Sequence, residues 1–187
     1  LVAIVAAGVV RFPLTTHVVA AQPFIDLAEQ ATAATLSLVV GTPDHAAITS
    51  HLYPRPQVPM RLLGFLMERQ YGFFGDPLVQ SKGRPAAASF RITSDTCPAD
   101  VEATALSGGF RLSGRFTRSP SPKWLVLVGP AGNVRGLAST SRRSSEFTGY
   151  ADDVSRGTLH HLYGVRDNGL CHAATIPIAP TSQPAAC

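Results

Sequence analysis

Two cysteines bracket the half of the chain that reads as strands, with Cys97 just before the first regular one and Cys171 in the last. Short alternating segments recur there about every ten residues, separated by Gly, Pro and Asn-Gly turns, the rhythm of a β-sandwich rather than of a helical fold. The segments are 88–93, 101–106, 110–117, 124–128, 134–139, 147–150, 159–165 and 171–176. Gly129-Pro130-Ala131-Gly132-Asn133 and Asp167-Asn168-Gly169 read as hairpin turns between them. A bond from Cys97 to Cys171 would tie residues 74 apart in sequence. In the chain-entropy picture it would stabilise the fold by roughly 4 to 5 kcal/mol. Such a bond belongs to an oxidising compartment, so it points to the periplasm or cell exterior; two free buried thiols are the alternative. Cys187 is the odd one out, free or paired between chains.

The first half has a different texture. Phe24, Leu27, Ala28, Ala31, Ala34, Thr35 and Leu38 recur at three and four residues, which predicts a helix over 23–40 that Gly41 stops. Asp44 after Thr42-Pro43 is a helix-start signal for a short helix over 46–52, ended by Tyr53-Pro54-Arg55-Pro56. A third helix is expected over 58–70, with Met60, Leu63, Phe65, Leu66 and Met67 nearly all around it, a width that asks for cover by neighbours or lipid. Leu1–Val10 is almost purely apolar but shorter than the ~20 residues that cross a bilayer. It reads as the end of a longer transmembrane span meeting water at Arg11-Phe12-Pro13, or else as a buried helix.

Charge is scarce, at 15% of residues. Over residues 1–83 five bases balance five acids, so the net +4 belongs entirely to the rest. Between Glu102 and Glu146 there is no acid, while Arg111, Arg115, Arg118, Lys123, Arg135, Arg142 and Arg143 all fall inside. These bases either occupy the solvent face of strands, or Arg135, Arg142 and Arg143 meet lipid head groups or an anionic glycan through their planar guanidinium groups. Few aromatics interleave with them, which argues against nucleic acid.

Catalytic and metal signatures are thin. His160 and His161 are neighbours in a strand and point to opposite faces, so they cannot chelate one ion together; His172 could approach one of them from the next strand, but no acid or cysteine stands at ligand spacing. Gly75-Asp76-Pro77 is a turn, and Asp152-Asp153 most simply ends a strand in water. Nucleophile elbows, phosphate-cradling glycine loops and Cys-x-x-Cys pairs are not found, so neither a catalytic residue nor a cofactor is assigned.

Asp44, His51-Leu52-Tyr53-Pro54, Phe74, Cys97 and Cys171 follow the apolar run in an order that resembles a family pattern. Leu112-Ser113-Gly114, Gly132-Asn133-Val134-Arg135-Gly136 and Phe147-Thr148-Gly149-Tyr150 extend the resemblance. The chain is similar to the carboxy-terminal extracytoplasmic region of large, poorly characterised bacterial polytopic membrane proteins, some of them similar to lipid-linked-sugar glycosyltransferases or surface-polysaccharide polymerases. The resemblance implies that any catalytic carboxylates lie in a membrane portion outside these residues, leaving an accessory domain here. The whole reading is α+β: membrane-proximal helices, then an Ig-like antiparallel β-sandwich of seven or eight strands. The expected division is 1–22 end of a span, 23–80 helical neck, 81–177 sandwich and 178–187 flexible tail. The expected place is the bacterial inner membrane with the main domain in the periplasm. The expected partners are membrane lipid, other membrane protein subunits and an anionic glycan. A structural subunit of a larger membrane complex and an independent soluble enzyme are the rivals.

Overall fold

The computed structural model describes residues 24–152 and 158–177. The apolar run Leu1–Val10, the tail with Cys187, and Asp153 therefore lie outside the described residues. Helix α1 occupies 24–40 and stops where Gly41 takes a left-handed φ of 85°. Helix α2 (His45–His51) begins on Asp44, whose carboxylate accepts the Ala47 N–H at 3.1 Å as an N-cap. Helix α3 (Gln57–Glu68) follows, and a 3₁₀ turn over Gly72–Gly75 leads to two single-turn helices, α4 (Pro77–Gln80) and α5 (Ala86–Ser89). Among the described residues no helix is long and apolar enough to cross a membrane.

Eight strands complete the chain: β1 (Ile92–Thr96), β2 (Ala99–Leu106), β3 (Gly109–Phe116), β4 (Trp124–Val128), β5 (Val134–Thr140), β6 (Glu146–Asp152), β7 (Leu159–Arg166) and β8 (Gly169–Pro177). The α+β arrangement is thus as expected, but the two-layer antiparallel sandwich is not what forms. All eight strands join one curled sheet in the order β1-β8-β7-β4-β5-β6-β3-β2. Every pair is antiparallel except β1 with β8, which run parallel. Period-two alternation names strands and their faces, yet it is silent on which strand pairs with which, and both architectures bury alternate residues.

The sheet is covered on both sides, which explains the unbroken apolar run Trp124–Val128 in its middle. Its inner face buries Leu112, Phe116, Leu125, Leu127, Phe147 and Leu162 in one cluster. Its outer face packs Val126, Leu137 and Tyr150 against Leu36 and Val40 of α1 and Val79 of α4. The second half of α1 and the short α4 therefore share a core with the strands instead of standing off as a neck.

The curl brings the two edges of the sheet together. Edge strands β1 and β2 are consecutive in the chain, separated only by Cys97 and Pro98. At this corner the Cys97 N–H donates to the His172 carbonyl on the β8 side at 2.9 Å. The Pro98 carbonyl accepts the Thr117 N–H beyond the end of β3, also at 2.9 Å. The Cys97 and Cys171 sulfurs lie 2.10 Å apart, at disulfide distance, so the corner is tied covalently to β8. Gly164, opposite Cys171 on β7, has no room for a Cβ, which would press on Pro122 and on the Cys97 sulfur.

Candidate functional site

Arg135, Arg142 and Arg143, expected to act together on an anion, stand apart. Arg135 is the second residue of β5, while Arg142 and Arg143 follow its far end. At ~3.3 Å per residue, that is about 20 Å along the sheet. The Arg135 Nε lies 2.9 Å from the Asp152 carboxylate, whose other oxygen is 3.2 Å from Lys82 Nζ. Arg135 is one of four bases of the acid-free stretch that draw a carboxylate from elsewhere in the fold. Arg111 pairs with Asp44, Arg115 with Glu146, and Arg143 approaches Asp26 at 4.0 Å. Much of the charge asymmetry in the sequence is therefore cancelled in space, through pairs that are individually weak where exposed.

At the far end of β5 two depressions meet. One, of about 490 Å³, lies between the segments 119–123 and 140–145; it is lined by Lys123, Arg142 and Arg143 among serine hydroxyls. The other, of about 360 Å³, has apolar walls: Phe24, Ile25 and Ala28 of α1 on one side, Phe73 and Trp124 on the other. The Phe73 and Trp124 rings are 5.8 Å apart between centroids, and Lys123 Nζ sits 5.2 Å from the Trp124 ring as a cation–π contact. Lys123, Thr140 and Arg142 line both depressions, so the basic pocket opens directly into the apolar cleft. Glu29 of α1 fastens this junction by accepting the Arg142 backbone N–H at 2.7 Å. Thr140 is 8% exposed, and its hydroxyl has no hydrogen-bond partner among the described residues. Lys123, Arg142 and Arg143 stand out in the sequence as members of the basic stretch. The cleft does not, because nothing local says that the start of α1 folds over the β4–β5 end of the sheet.

A second polar cluster lies between α2 and the outer face of the sheet. Asp44, 4% exposed, takes the Tyr150 hydroxyl at 3.1 Å and the Arg111 guanidinium on one carboxylate oxygen and the Ala47 N–H on the other. Burial alone would raise its pKa, but the Ala47 N–H, the Tyr150 hydroxyl and the Arg111 charge outweigh it and hold the carboxyl below its ordinary value. Burial, then the neighbouring Asp44 charge, pushes the Tyr150 phenol well above its usual range. An ionised carboxylate beside a protonated phenol, both saturated with partners, makes a lock between helix and sheet. A groove of about 450 Å³ bordered by Arg111, His51 and Thr104 runs past it.

The histidines fall as the strand geometry requires. His160 points into the inner core, 0% exposed, while His161 lies on the outer face beside His172, their rings 5.8 Å apart. His161 Nδ1 and His172 Nε2 both reach the Thr175 hydroxyl, at 3.1 and 3.2 Å. Among the described residues no three His, Cys, Asp or Glu side chains converge as a metal site would need. Comparison with protein-family models, curated proteins and solved structures gives no match to this chain.

Proposed function

We propose that this chain is a non-catalytic, extracytoplasmic docking domain of a membrane protein, held at the bacterial inner membrane with its sheet in the periplasm. In this reading it packs on membrane lipid and on neighbouring membrane subunits. The observation that carries the proposal is α3. This 12-residue helix has no buried residue at all, although it contains Met60, Leu62, Leu63, Phe65, Leu66 and Met67. Met60, Leu62 and Phe65 stand exposed, together with Tyr53 and Tyr71 just beyond its two ends and Phe24 and Leu27 at the start of α1. An apolar surface of this extent on a chain with few charges asks for cover. Arg55, Arg61 and Arg69 accompany it against the single acid Glu68, and tyrosines flank it, the composition of a helix lying at a lipid head-group layer. The sulfur pair at disulfide distance supports the oxidising compartment.

Envelope glycan is the weaker partner on this surface. Of the aromatics that a sugar platform could use, Tyr150 is buried under α1 and locked to Asp44, so Trp124, Tyr150 and Tyr163 form no exposed row. An accessory part of a membrane glycosyltransferase or polysaccharide polymerase is one setting for such a domain, and a structural subunit of a membrane complex is another.

The test is the pair Leu62→Asp with Phe65→Asp, followed through sedimentation with anionic vesicles and through fractionation of cells. Both side chains are exposed, so thermal stability is expected to hold within about 0.5 kcal/mol. Loss of vesicle association supports docking on the bilayer. Loss of membrane fractionation without any vesicle binding by the parent chain supports docking on a partner subunit. Unchanged behaviour in both assays would overturn the proposal.

A further inference from the structure

We infer that the joined depressions at the end of β5 bind one molecule of an amphiphile with an anionic phosphate head and an acyl or alkyl chain. This goes beyond docking through α3 and does not depend on it, because the site takes a single dissolved molecule rather than a surface.

The two halves of the site offer the two halves of such a ligand. The cleft between α1 and the Phe73–Trp124 pair presents apolar carbon on both sides, which favours a hydrocarbon chain and offers little to a sugar or nucleotide. The adjoining pocket holds Lys123, Arg142 and Arg143 among hydroxyls, donors that match the oxygens of a phosphate. Asp26 approaches Arg143 and Glu29 is engaged by the Arg142 backbone, so α1 contributes acids at the rim. Neither the Lys123 ammonium nor the Arg142 guanidinium forms an ion pair among the described residues, which leaves two charges at the junction to meet a phosphate. Thr140 marks the seam: it lines both depressions, it is over nine-tenths buried, and its hydroxyl lacks a partner among the described residues. An oxygen at the junction of head and chain would satisfy that donor. A free phosphate would fill only the basic half and a neutral detergent only the apolar half, so the arrangement distinguishes an amphiphilic phosphate from both.

Trp124 is the only tryptophan of the chain and it forms a wall of the cleft, so its fluorescence reports occupancy directly. The experiment titrates the full chain with octyl and decyl phosphate below their micellar concentrations, with inorganic phosphate and with octyl glucoside as separate arms. Saturable change with the alkyl phosphates is expected, tightening about fourfold for each added methylene. Arg142→Ala and Lys123→Ala are each expected to weaken decyl phosphate binding about tenfold, and Ala28→Phe to weaken it by filling the cleft. All three positions are exposed, and circular dichroism checks that each variant keeps its fold. Equal binding of inorganic phosphate would leave an anion site alone, and equal binding of octyl glucoside would leave an apolar site alone; either result overturns the inference, as does no saturable response. Leu62→Asp with Phe65→Asp should leave this titration unchanged, so failure of the docking proposal and failure of this one are told apart.

Discussion

At the scale of single residues, the buried titratable groups set how this fold meets acid. His160 is enclosed in the inner core with Nε2 unpartnered among the described residues, and burial holds its imidazole below the ordinary value; burial and then His161 do the same to His172. Below about pH 6.5 the unfolded chain accepts protons that these folded imidazoles refuse, so their share of stability is complete above that pH and declines beneath it. Asp44 has the opposite chemistry and the same direction. Its folded carboxyl sits below 3.8, so its contribution is complete above that value and is lost as pH falls through the lowered one. Urea unfolding followed from pH 8 to pH 3 is expected to show two declining stages. His160→Leu should flatten the upper stage, and Tyr150→Phe should shrink the lower stage while costing about 1 to 3 kcal/mol at neutral pH. A single stage indifferent to both substitutions would refute this assignment.

At the scale of elements, glycines decide how closely the strands approach. A Cβ on Gly149 of β6 would strike the Ala138 side chain and the Leu137 carbonyl across the sheet, neither of which can move without the strand. Gly149→Ala is expected to cost about 1 to 3 kcal/mol in urea unfolding. Gly64 in α3 has nothing within 4 Å of its missing Cβ, so Gly64→Ala should instead add about 0.5 to 1 kcal/mol. The same contacts give Phe147-Thr148-Gly149-Tyr150 a structural meaning: Phe147 in the inner core, no side chain at 149, and Tyr150 reaching Asp44 outside. Most elements were legible because their signals are local. The periodicity of α1, the Asp44 cap of α2, the hairpins at 129–133 and 167–169, and seven of the eight strands fall within a few residues of where the sequence puts them. The eighth does not: residues 88–93 look like a strand, but Pro85 opens a helical turn at Ala86–Ser89, and β1 is placed at Ile92–Thr96 by its pairing with β8. That pairing joins residues more than 70 apart, as does the cleft between α1 and Trp124, and no window of sequence holds both sides.

At the scale of the whole molecule, the two edges of the curled sheet are joined by the chain itself. Because β1 and β2 lie on opposite edges yet follow each other directly, the corner at Cys97-Pro98 forms only once the last strand has arrived. The bond to Cys171 then holds early and late segments together. Replacing both cysteines by alanine, or reducing the bond, is expected to lower stability by about 2 to 5 kcal/mol, read as a shift of the urea midpoint. A midpoint unmoved by reductant would mean that the bond constrains nothing the fold does not already hold. Of the two edge strands, β2 carries Asp100 and Glu102, charges that discourage another chain from adding to it. Force applied between residues 24 and 177 would pass from Cys97 straight into Cys171 and leave β2 through β7 without tension. The stretch from Cys97 to Cys171, a sequence separation of 74 and about 25 nm of extended chain at ~3.4 Å per residue, would stay out of reach of the pull. Oxidised, the domain is a short, stiff tether; reduced, it becomes a long extensible one.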